Sequence, residues 1–545
     1  MNNIKILDCT LRDGGFVVDM NFGPRAIRGI IGKLDEASID VIECGFLKDI
    51  EYDRKLTLFK HVEQIREFLP VKKNPETSFV ALLDFGRYSL ENLSDYDGTS
   101  IDGIRICFVK EDNFDEVFKY AKAIKNKGYK IYLQPTAIMG YTDKEILSLL
   151  DRANILDPYA FSIVDTFGSM YKEDLSHLFN IVHRNLNSNI RIGFHSHNNL
   201  QLSFALCQEF VHMAQGRREI TIDTSVCGLG RGAGNANTEL VANFLNDRYY
   251  YNYDLNLILD IVDIYMPKIE REGQWGYSIP YFIAGIHNSH VNNINHLLDK
   301  HNITTKDLQQ IILCIDKVAR KKYNYDELNN LYLSYFDKRV DDTGNLEYIR
   351  SAVENKKVLI LAPGKNLELK KENIESYIKK NDPVIIMVHM TNKDYNPDFV
   401  FYSSKRRYET NADEEDLRFS DLPKIVTSNI HIDPGSNEYI INFERLIKPN
   451  WRYFDNSMVL LLRLISKTNP MEVAIAGFDG FTNGQDNFIE NRDKTEPYID
   501  PNERKKMNEE IKEMLTDIKK SYNGIRTRFL TDSLYAPVFE SPEGD

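Results

Sequence analysis

Cysteine is scarce and unpaired in this sequence. The 545 residues hold six, Cys9, Cys44, Cys107, Cys207, Cys227 and Cys314, and none stands in a CxxC spacing. That argues against a disulfide framework and fits reduced thiols in the cytoplasm. Basic charge is also short. Lys and Arg number 68 against 81 Asp and Glu, a formal net charge of -13. A nucleic-acid binder shows the opposite footprint, so no nucleic-acid partner is expected. No apolar run reaches the ~18 residues that a bilayer span needs. The N-terminus passes directly into Ile4-Lys5-Ile6-Leu7, without the basic region and apolar core of a signal peptide. A cytoplasmic protein without membrane association is therefore expected. What remains is ordinary globular composition, 42% hydrophobic and 27% charged, in a chain too long for one core.

From residue 4 to about 245, short apolar or β-branched runs alternate with longer amphipathic stretches. The runs are Ile4 to Thr10, Val41 to Phe46, Phe79 to Asp84, Gly103 to Val109, Lys130 to Thr136, Ala160 to Thr166, Arg191 to His197 and Ile220 to Val226. Helical patterns cover Arg25 to Ala37, Tyr52 to Phe68, Phe114 to Lys127, Asp143 to Asn154, Lys172 to Asn187 and Leu200 to Gln215, with a short stretch at Tyr88 to Tyr96. Eight such repeats match a (β/α)8 TIM barrel, although a doubly wound open sheet alternates in the same way. The placement of polar residues favours closure. Nearly every run ends in polar groups: Asp8 to Asp13, Glu43, Gln134 and Thr136, Asp165, His195 and His197, and Asp223 to Ser225. The carboxyl ends of barrel strands are where chemistry gathers.

His195 and His197 close the seventh run two positions apart. Side chains at i and i+2 of a strand point the same way. Two imidazoles converging there are either packed polar filler or half of a divalent-metal site that lacks a carboxylate.

Three stretches carry a resemblance. Asp8-Cys9-Thr10-Leu11-Arg12-Asp13-Gly14, Gly193-Phe194-His195-Ser196-His197-Asn198 and Gly228-Leu229-Gly230-Arg231-Gly232-Ala233-Gly234-Asn235-Ala236-Asn237-Thr238-Glu239 together resemble the DRE-TIM metallolyase superfamily, and within it the 4-hydroxy-2-oxovalerate aldolase branch. The resemblance implies that Asp13, His195 and His197 hold a divalent cation, Mn²⁺ or Mg²⁺, with Asn235 approaching the same ion. It implies a small-molecule 2-oxo acid and an aldehyde as substrates, with Arg12 stabilising the enolate oxygen. Glu43, Gln134, Thr136 and Asp165 are then the candidate substrate-binding groups. An acyl-CoA-dependent synthase or lyase of the same superfamily is an alternative, as is a barrel serving only as scaffold. The glycine-rich run after the eighth strand reads as a phosphate cradle or as a flexible connection over the barrel mouth, and the resemblance favours an active-site loop. One departure stands out. Many members of this branch carry a histidine three residues after the metal aspartate, and this chain has Phe16. Proton transfer is therefore reassigned to His287, His290, Tyr281 or Tyr141.

Residues 251–355 read as a helical extension to the aldolase unit at 1–250, covering Asp254 to Met266, Tyr281 to Lys300, Thr305 to Lys321 and Tyr325 to Phe336. Dimerisation through this segment is expected. Beyond it, 356–545 reads as a Rossmann-like, doubly wound α/β domain, with strands at Lys357 to Leu361, Val384 to Val388, Phe399 to Ser403, Ile425 to Ser428 and Val473 to Ala476, and a helix from Leu367 to Lys380. A sugar nucleotide or phosphate is the candidate ligand there. The turn Ala362-Pro363-Gly364, the basic run Ser403 to Tyr408 and Ala476 to Phe481 are the features that suggest it.

Overall fold

The computed structural model describes residues 3–71, 74–298, 303–336, 340–414, 421–430, 432, 435, 437–448, 451–482, 501–521 and 525–540. They form two compact units, Met1–Ile294 with Asp316–Tyr323, and Asn295–Ile315 with Asn324–Asp545. The helical stretch at 251–355 is thus shared between the two.

The first unit is a closed parallel barrel of eight strands: β1 (Ile4–Asp8), β2 (Val41–Leu47), β3 (Ser78–Asp84), β4 (Gly103–Phe108), β5 (Lys130–Pro135), β6 (Ala160–Asp165), β7 (Arg191–Ser196) and β8 (Ile220–Thr224). Closure is made by β1, which pairs with β8 from Ile4↔Ile220 to Asp8↔Thr224 and with β2 at Leu7↔Val41. The open-sheet alternative is excluded by that second pairing. The strands are buried on both faces, which is why they read as near-continuous apolar runs. The outer helices show the period a barrel demands. Pro24–Glu36 begins on a proline, and its Ile27, Ile30, Ile31 and Leu34 face inward. Each such aliphatic contributes about 1.5–3 kcal/mol by leaving water. Phe114–Asn126 starts on Asn113, whose side chain accepts from the N–H groups of Asp115 and Glu116.

Inside the barrel, Leu7, Cys9, Val41, Val80, Tyr132 and Ala160 pack as one apolar cluster, Glu43 and Arg105 are buried within β2 and β4, and Asp13, Asp165, His195 and Asp223 are buried near or beyond the carboxyl ends of their strands. The loop ends are built from the motif residues themselves. Asp8 accepts from the Thr10 N–H (2.9 Å) and the Thr238 hydroxyl (2.6 Å), which ties β1 to the helix after β8.

Three helix expectations fail locally, the first at Thr305 to Lys321, where the helix stops at Cys314 and only a 3-10 turn follows at Ala319–Lys321. Tyr52 to Phe68 is not one helix: Leu58–Phe59 is a two-residue strand on the edge of β2, and only Val62–Arg66 is helical. The cause is Gly45, at φ +146°, where a Cβ would meet the Thr57 carbonyl at 2.3 Å. The chain at 57–59 closes over this bulge, its carbonyls receiving the Phe46 and Lys48 N–H groups. Tyr281 to Lys300 is broken into Ile279–Ile286 and Val291–Leu298, with Asn288 in the left-handed region between them. Asp299 and Lys300 lie outside the described residues.

The second unit carries a seven-stranded parallel sheet: β9 (Lys357–Leu361), β10 (Val384–Val388), β11 (Phe399–Tyr402), β12 (Lys424–Thr427), β13 (Glu438–Ile441), β14 (Glu472–Ala476) and β15 (Arg526–Phe529), in the order β13-β12-β11-β10-β9-β14-β15. The order reverses at β9, so the sheet is doubly wound. The sequence hides β13 and β15 because both are short edge strands with partly exposed faces. Among the described residues no helix is long and apolar enough to cross a membrane.

Candidate metal centre

At the carboxyl end of the barrel, one ligand atom each from Asp13, His195 and His197 lie within 4.8 Å of one another. All three side chains are buried. The two rings stand at right angles with centroids 5.0 Å apart. Each imidazole has its Nδ1 beside an oxygen: His195 Nδ1 lies 3.0 Å from an Asp223 carboxylate oxygen, and His197 Nδ1 lies 3.2 Å from the Gly234 carbonyl. Such contacts fix ring orientation, the usual outer support of a metal-binding histidine, and His197 Nδ1 also lies 3.9 Å from Asp13 Oδ2. Burial, with His195, Arg231 and Arg12 nearby, outweighs Asp13 and brings the His197 pKa down to about 4, so the ring is neutral and able to ligate at physiological pH. For Asp13, burial favours the acid form, but Arg12, His197, His195 and the Asn235 amide prevail and hold the carboxyl well below the ordinary range. A carboxylate and two imidazoles with supported orientations fit a divalent cation.

The metal carboxylate and His195 are joined by a chain of alternating charge around the barrel interior. Asp13 Oδ1 accepts from Arg12 Nη1 (2.6 Å), and Arg12 Nε donates to Glu43 (2.7 Å). The same Glu43 oxygen lies 2.9 Å from Arg105 Nη1, and Arg105 Nη2 donates to Asp223. Asp223 then faces His195. Five strands or strand ends are thereby linked through two guanidiniums and three carboxylates, which leaves one negative charge in excess for a cation to offset.

The glycine-rich loop after β8 is neither a flexible connection nor a free cradle. Gly228 to Gly230 and Gly232 to Asn235 are buried. Asn198 N–H donates to the Gly234 carbonyl (2.8 Å), and Asn199 Oδ1 accepts from the Ala233 N–H (2.9 Å), so the end of β7 straps the loop down. Its glycines are demanded by contact. Gly234 has φ +83°, and a Cβ there would meet the Gly228 carbonyl at 1.9 Å. Gly234→Ala should therefore destabilise the protein by at least about 1 kcal/mol, read as a lower urea midpoint; an unchanged midpoint would mean the loop can relax.

Of the groups expected to join the site, the structure brings some together and separates others. Asn235 donates its amide to Asp13 Oδ2 (2.8 Å), and its own buried Oδ1 has no hydrogen-bond partner. It therefore orients the metal carboxylate. Glu43 gives its Oε2 to Arg12 and Arg105 in the interior, and its buried Oε1 has no hydrogen-bond partner. Asp165 is occupied by the N–H groups of Ser169 (3.0 Å) and Met170 (3.2 Å), and burial raises its pKa to about 6. The Thr136 hydroxyl donates to the Phe108 carbonyl (3.0 Å), and the Gln134 amide to Ser162 Oγ (2.7 Å). These three hold strand ends. Tyr141 stacks on Phe114 beneath Lys110, and its buried hydroxyl has no hydrogen-bond partner. His287 interacts with Arg320, and Tyr281 sits in the first turn of its helix with its N–H capped by Ser278. His290 is different. Its Nδ1 accepts from the Asn292 N–H (3.1 Å), its Nε2 lies 3.4 Å from Arg231 Nη1, and His197 is a further neighbour. Burial and those two neighbours lower its pKa to about 3, so it is neutral at physiological pH.

Reading the sequence missed Arg105, Asp223's link to His195, and Arg231. A lone arginine within Gly103-Ile104-Arg105-Ile106-Cys107 was the available signal for the first, because a charge inside a buried strand must be paired.

A family model described as HMGL-like matches residues 104–264. The chain is similar to an oxaloacetate decarboxylase from Mycobacterium tuberculosis, 27% identical over 258 residues, 47% of this chain and 74% of that one. It is likewise similar to a 4-hydroxy-2-oxovalerate aldolase from Pelotomaculum thermopropionicum, 27% identical over 277 residues, 49% of this chain and 78% of that one. Among solved structures, the N-terminal domain of a candidate aldolase from Bacteroides vulgatus aligns at 24% identity with a TM-score of 0.47, over 56% of this chain and 99% of that one. With the three motifs converging on one centre, the HMGL-like match and these relatives support a place for the barrel in the DRE-TIM metallolyase superfamily.

Proposed function

We propose that this chain is a metal-dependent lyase of the class II aldolase type, forming or cleaving a 4-hydroxy-2-oxo acid through the enolate of a 2-oxo acid such as pyruvate. The observation that carries the reading is the convergence of Asp13, His195 and His197 at the barrel mouth. A divalent cation held by them, Mn²⁺ or Mg²⁺, would supply Lewis acidity to a chelating 2-oxo acid.

The chain's own groups do the rest. Arg12 has spent Nε and Nη1 on Glu43 and Asp13, and Nη2 has no protein acceptor among the described residues. That nitrogen is placed to donate to the oxygen on which negative charge develops. The Arg12 fork is held rigid by its two carboxylates, so little reorganisation is needed when charge appears. His290, neutral and on the post-barrel segment, is the candidate to take the proton from the 4-hydroxyl of the acid as its C3–C4 bond breaks, and to return it to the aldehyde oxygen in condensation. The segment from Gly273 to Asn293 packs on the barrel loops. Gly273 packs against Val17, Trp275 Nε1 donates to the Cys227 carbonyl (3.0 Å), and Gly285 packs on Asn199 and Leu200.

The test is direct. Purified protein should contain a divalent metal, and with Mn²⁺ present it should exchange the methyl protons of pyruvate with deuterated solvent. Exchange equal to that of Mn²⁺ alone would remove the reading. Arg12→Ala should keep the metal and lower turnover roughly 10²- to 10³-fold; near-normal turnover would end the oxyanion role. A second reading is favoured by the oxaloacetate decarboxylase relative: loss of CO₂ from a 3-carboxy-2-oxo acid gives the same enolate, so oxaloacetate decarboxylation assayed beside aldol cleavage separates the two.

The second unit supports a separate ligand role at the carboxyl ends of β9 and β14. There Asp479 accepts from the Asn366 N–H (2.8 Å), and Gly364 lies against Gly477, at the crevice where doubly wound sheets bind ligands. A sugar nucleotide or sugar-derived aldehyde is our candidate. It predicts a rise in melting temperature with the bound compound.

A further inference from the structure

Arg231 is a cation without an anion. Its guanidinium carbon lies 3.8 Å from the centroid of the Phe16 ring, and Nη1 lies 3.4 Å from His290 Nε2. Among the described residues it forms no ion pair with any carboxylate, unlike Arg12 and Arg105 below it. Burial weakens its hold on the proton, with Asp13 only partly compensating, which marks a desolvated charge. A cation placed in this way is costly unless a ligand completes it.

Its position is imposed by the loop. A Cβ on Gly230 would meet the Asn235 amide nitrogen at 2.4 Å and Asp13 Oδ2 at 2.7 Å, and one on Gly232 would meet Asn199 Oδ1 at 2.9 Å. Both neighbours of Arg231 are thus pressed against the metal centre, one on the carboxylate that would hold the cation and the other on the end of β7. The side chain between them can only rise over the mouth. There the flat face of Phe16 receives it, and Phe16 is itself fixed edge-to-face on Phe46 (5.7 Å). A guanidinium laid on a ring keeps its in-plane N–H groups free to form a bidentate contact.

We propose that Arg231, seated on Phe16, selects the second substrate: an aldehyde bearing an anionic group, carboxylate or phosphate, that pairs with this guanidinium while its carbonyl lies near the metal centre. The inference rests on the enolate reading above. Charge agrees with it. The buried chain of Arg12, Asp13, Glu43, Arg105 and Asp223 carries one excess negative charge, so a divalent cation and Arg231 leave the mouth positive enough for two anionic substrates at once. Phe16 and Arg231 act as a unit: the ring occupies the place where a histidine would handle protons, and serves here as a platform for recognition. His290 lies at the other edge of the guanidinium.

The experiment compares kcat/KM for condensation of pyruvate with neutral aldehydes (acetaldehyde, glyceraldehyde) and with anionic ones (glyoxylate, succinic semialdehyde, glyceraldehyde 3-phosphate). The wild-type enzyme should prefer at least one anionic aldehyde by roughly 100-fold over its neutral counterpart. In Arg231→Ala that preference should fall to within a few-fold of unity, chiefly through a higher KM, and Arg231→Lys should restore part of it. Metal content and melting temperature report whether each variant folds; should alanine not fold, Arg231→Gln replaces it. A carboxylate preference and a phosphate preference each support the proposal and name the anion. Wild-type discrimination near unity, or equal losses for neutral and anionic aldehydes in folded Arg231 variants, would overturn it. Pyruvate exchange in the wild type, measured without any aldehyde, tells the two failures apart. Absent exchange removes the enolate reading and this proposal with it, whereas normal exchange without discrimination removes only this one.

Discussion

Asp13→Ala and His195→Ala should each strip the protein of metal and of turnover while leaving the barrel folded. The two side chains supply a carboxylate and an imidazole to the same point, and neither loss can be made good by a neighbour, since Glu43 and Asp223 are bound to Arg105. The assay is metal analysis after dialysis, with thermal melting in the presence and absence of Mn²⁺. For the wild type, a free concentration a hundred times Kd should add about 2.7 kcal/mol of stability, and for either variant the melting point should not respond. A graded control separates ligation from packing. Asp223→Asn removes a support of His195 without touching the cation and should weaken metal affinity only about 10- to 100-fold. Equal metal content in Asp13→Ala and wild type would dismantle the site, and with it the aldolase reading. An equal loss in Asp223→Asn and Asp13→Ala would mean that the centre depends on the whole chain of charges.

The parts of this site that can be seen in the sequence are those governed by local periodicity. Eight apolar runs spaced by helices with Pro or Asn at their starts announce the barrel, and the i, i+2 placement of His195 and His197 announces the convergence. Asp13 needs more, because it lies one turn past β1, and only its motif links it to histidines nearly two hundred residues later. What stays hidden is whatever depends on closure. Glu43 and Asp223 look like ordinary strand-end polar groups until β1 meets β8 and places Arg105 between them. Arg231 looks like a solvated loop residue until the strapping of Gly234 by Asn198 turns it over Phe16. The stretch 52–68 misleads for a related reason: its apolar spacing suits a helix, but Gly45 opens a bulge that only an extended segment can cover. Tertiary contact overrides propensity at such places.

Arg105→Met should be the most damaging substitution away from the cation. Arg105 is buried within β4, with Glu43 on one side and Asp223 on the other. Methionine matches the aliphatic part of the side chain, so little cavity forms, and the loss is electrostatic. Two buried carboxylates would then share the interior with Arg12 as their sole guanidinium, already committed to Asp13. Removing one partner of a buried pair costs about 3–5 kcal/mol, and here one residue serves two pairs. Urea denaturation should show a loss at the upper end of that range, with metal affinity reduced as well because Asp223 is freed to shift against His195. Neutralising one carboxylate alongside should recover part of the loss. Arg105→Met with Glu43→Gln should be more stable than Arg105→Met alone, a non-additivity expected only of residues in direct contact. If the single variant loses less than about 1 kcal/mol, the interior tolerates unpaired charge through water, and the excess negative charge invoked to attract a divalent cation is not the force that assembles this centre.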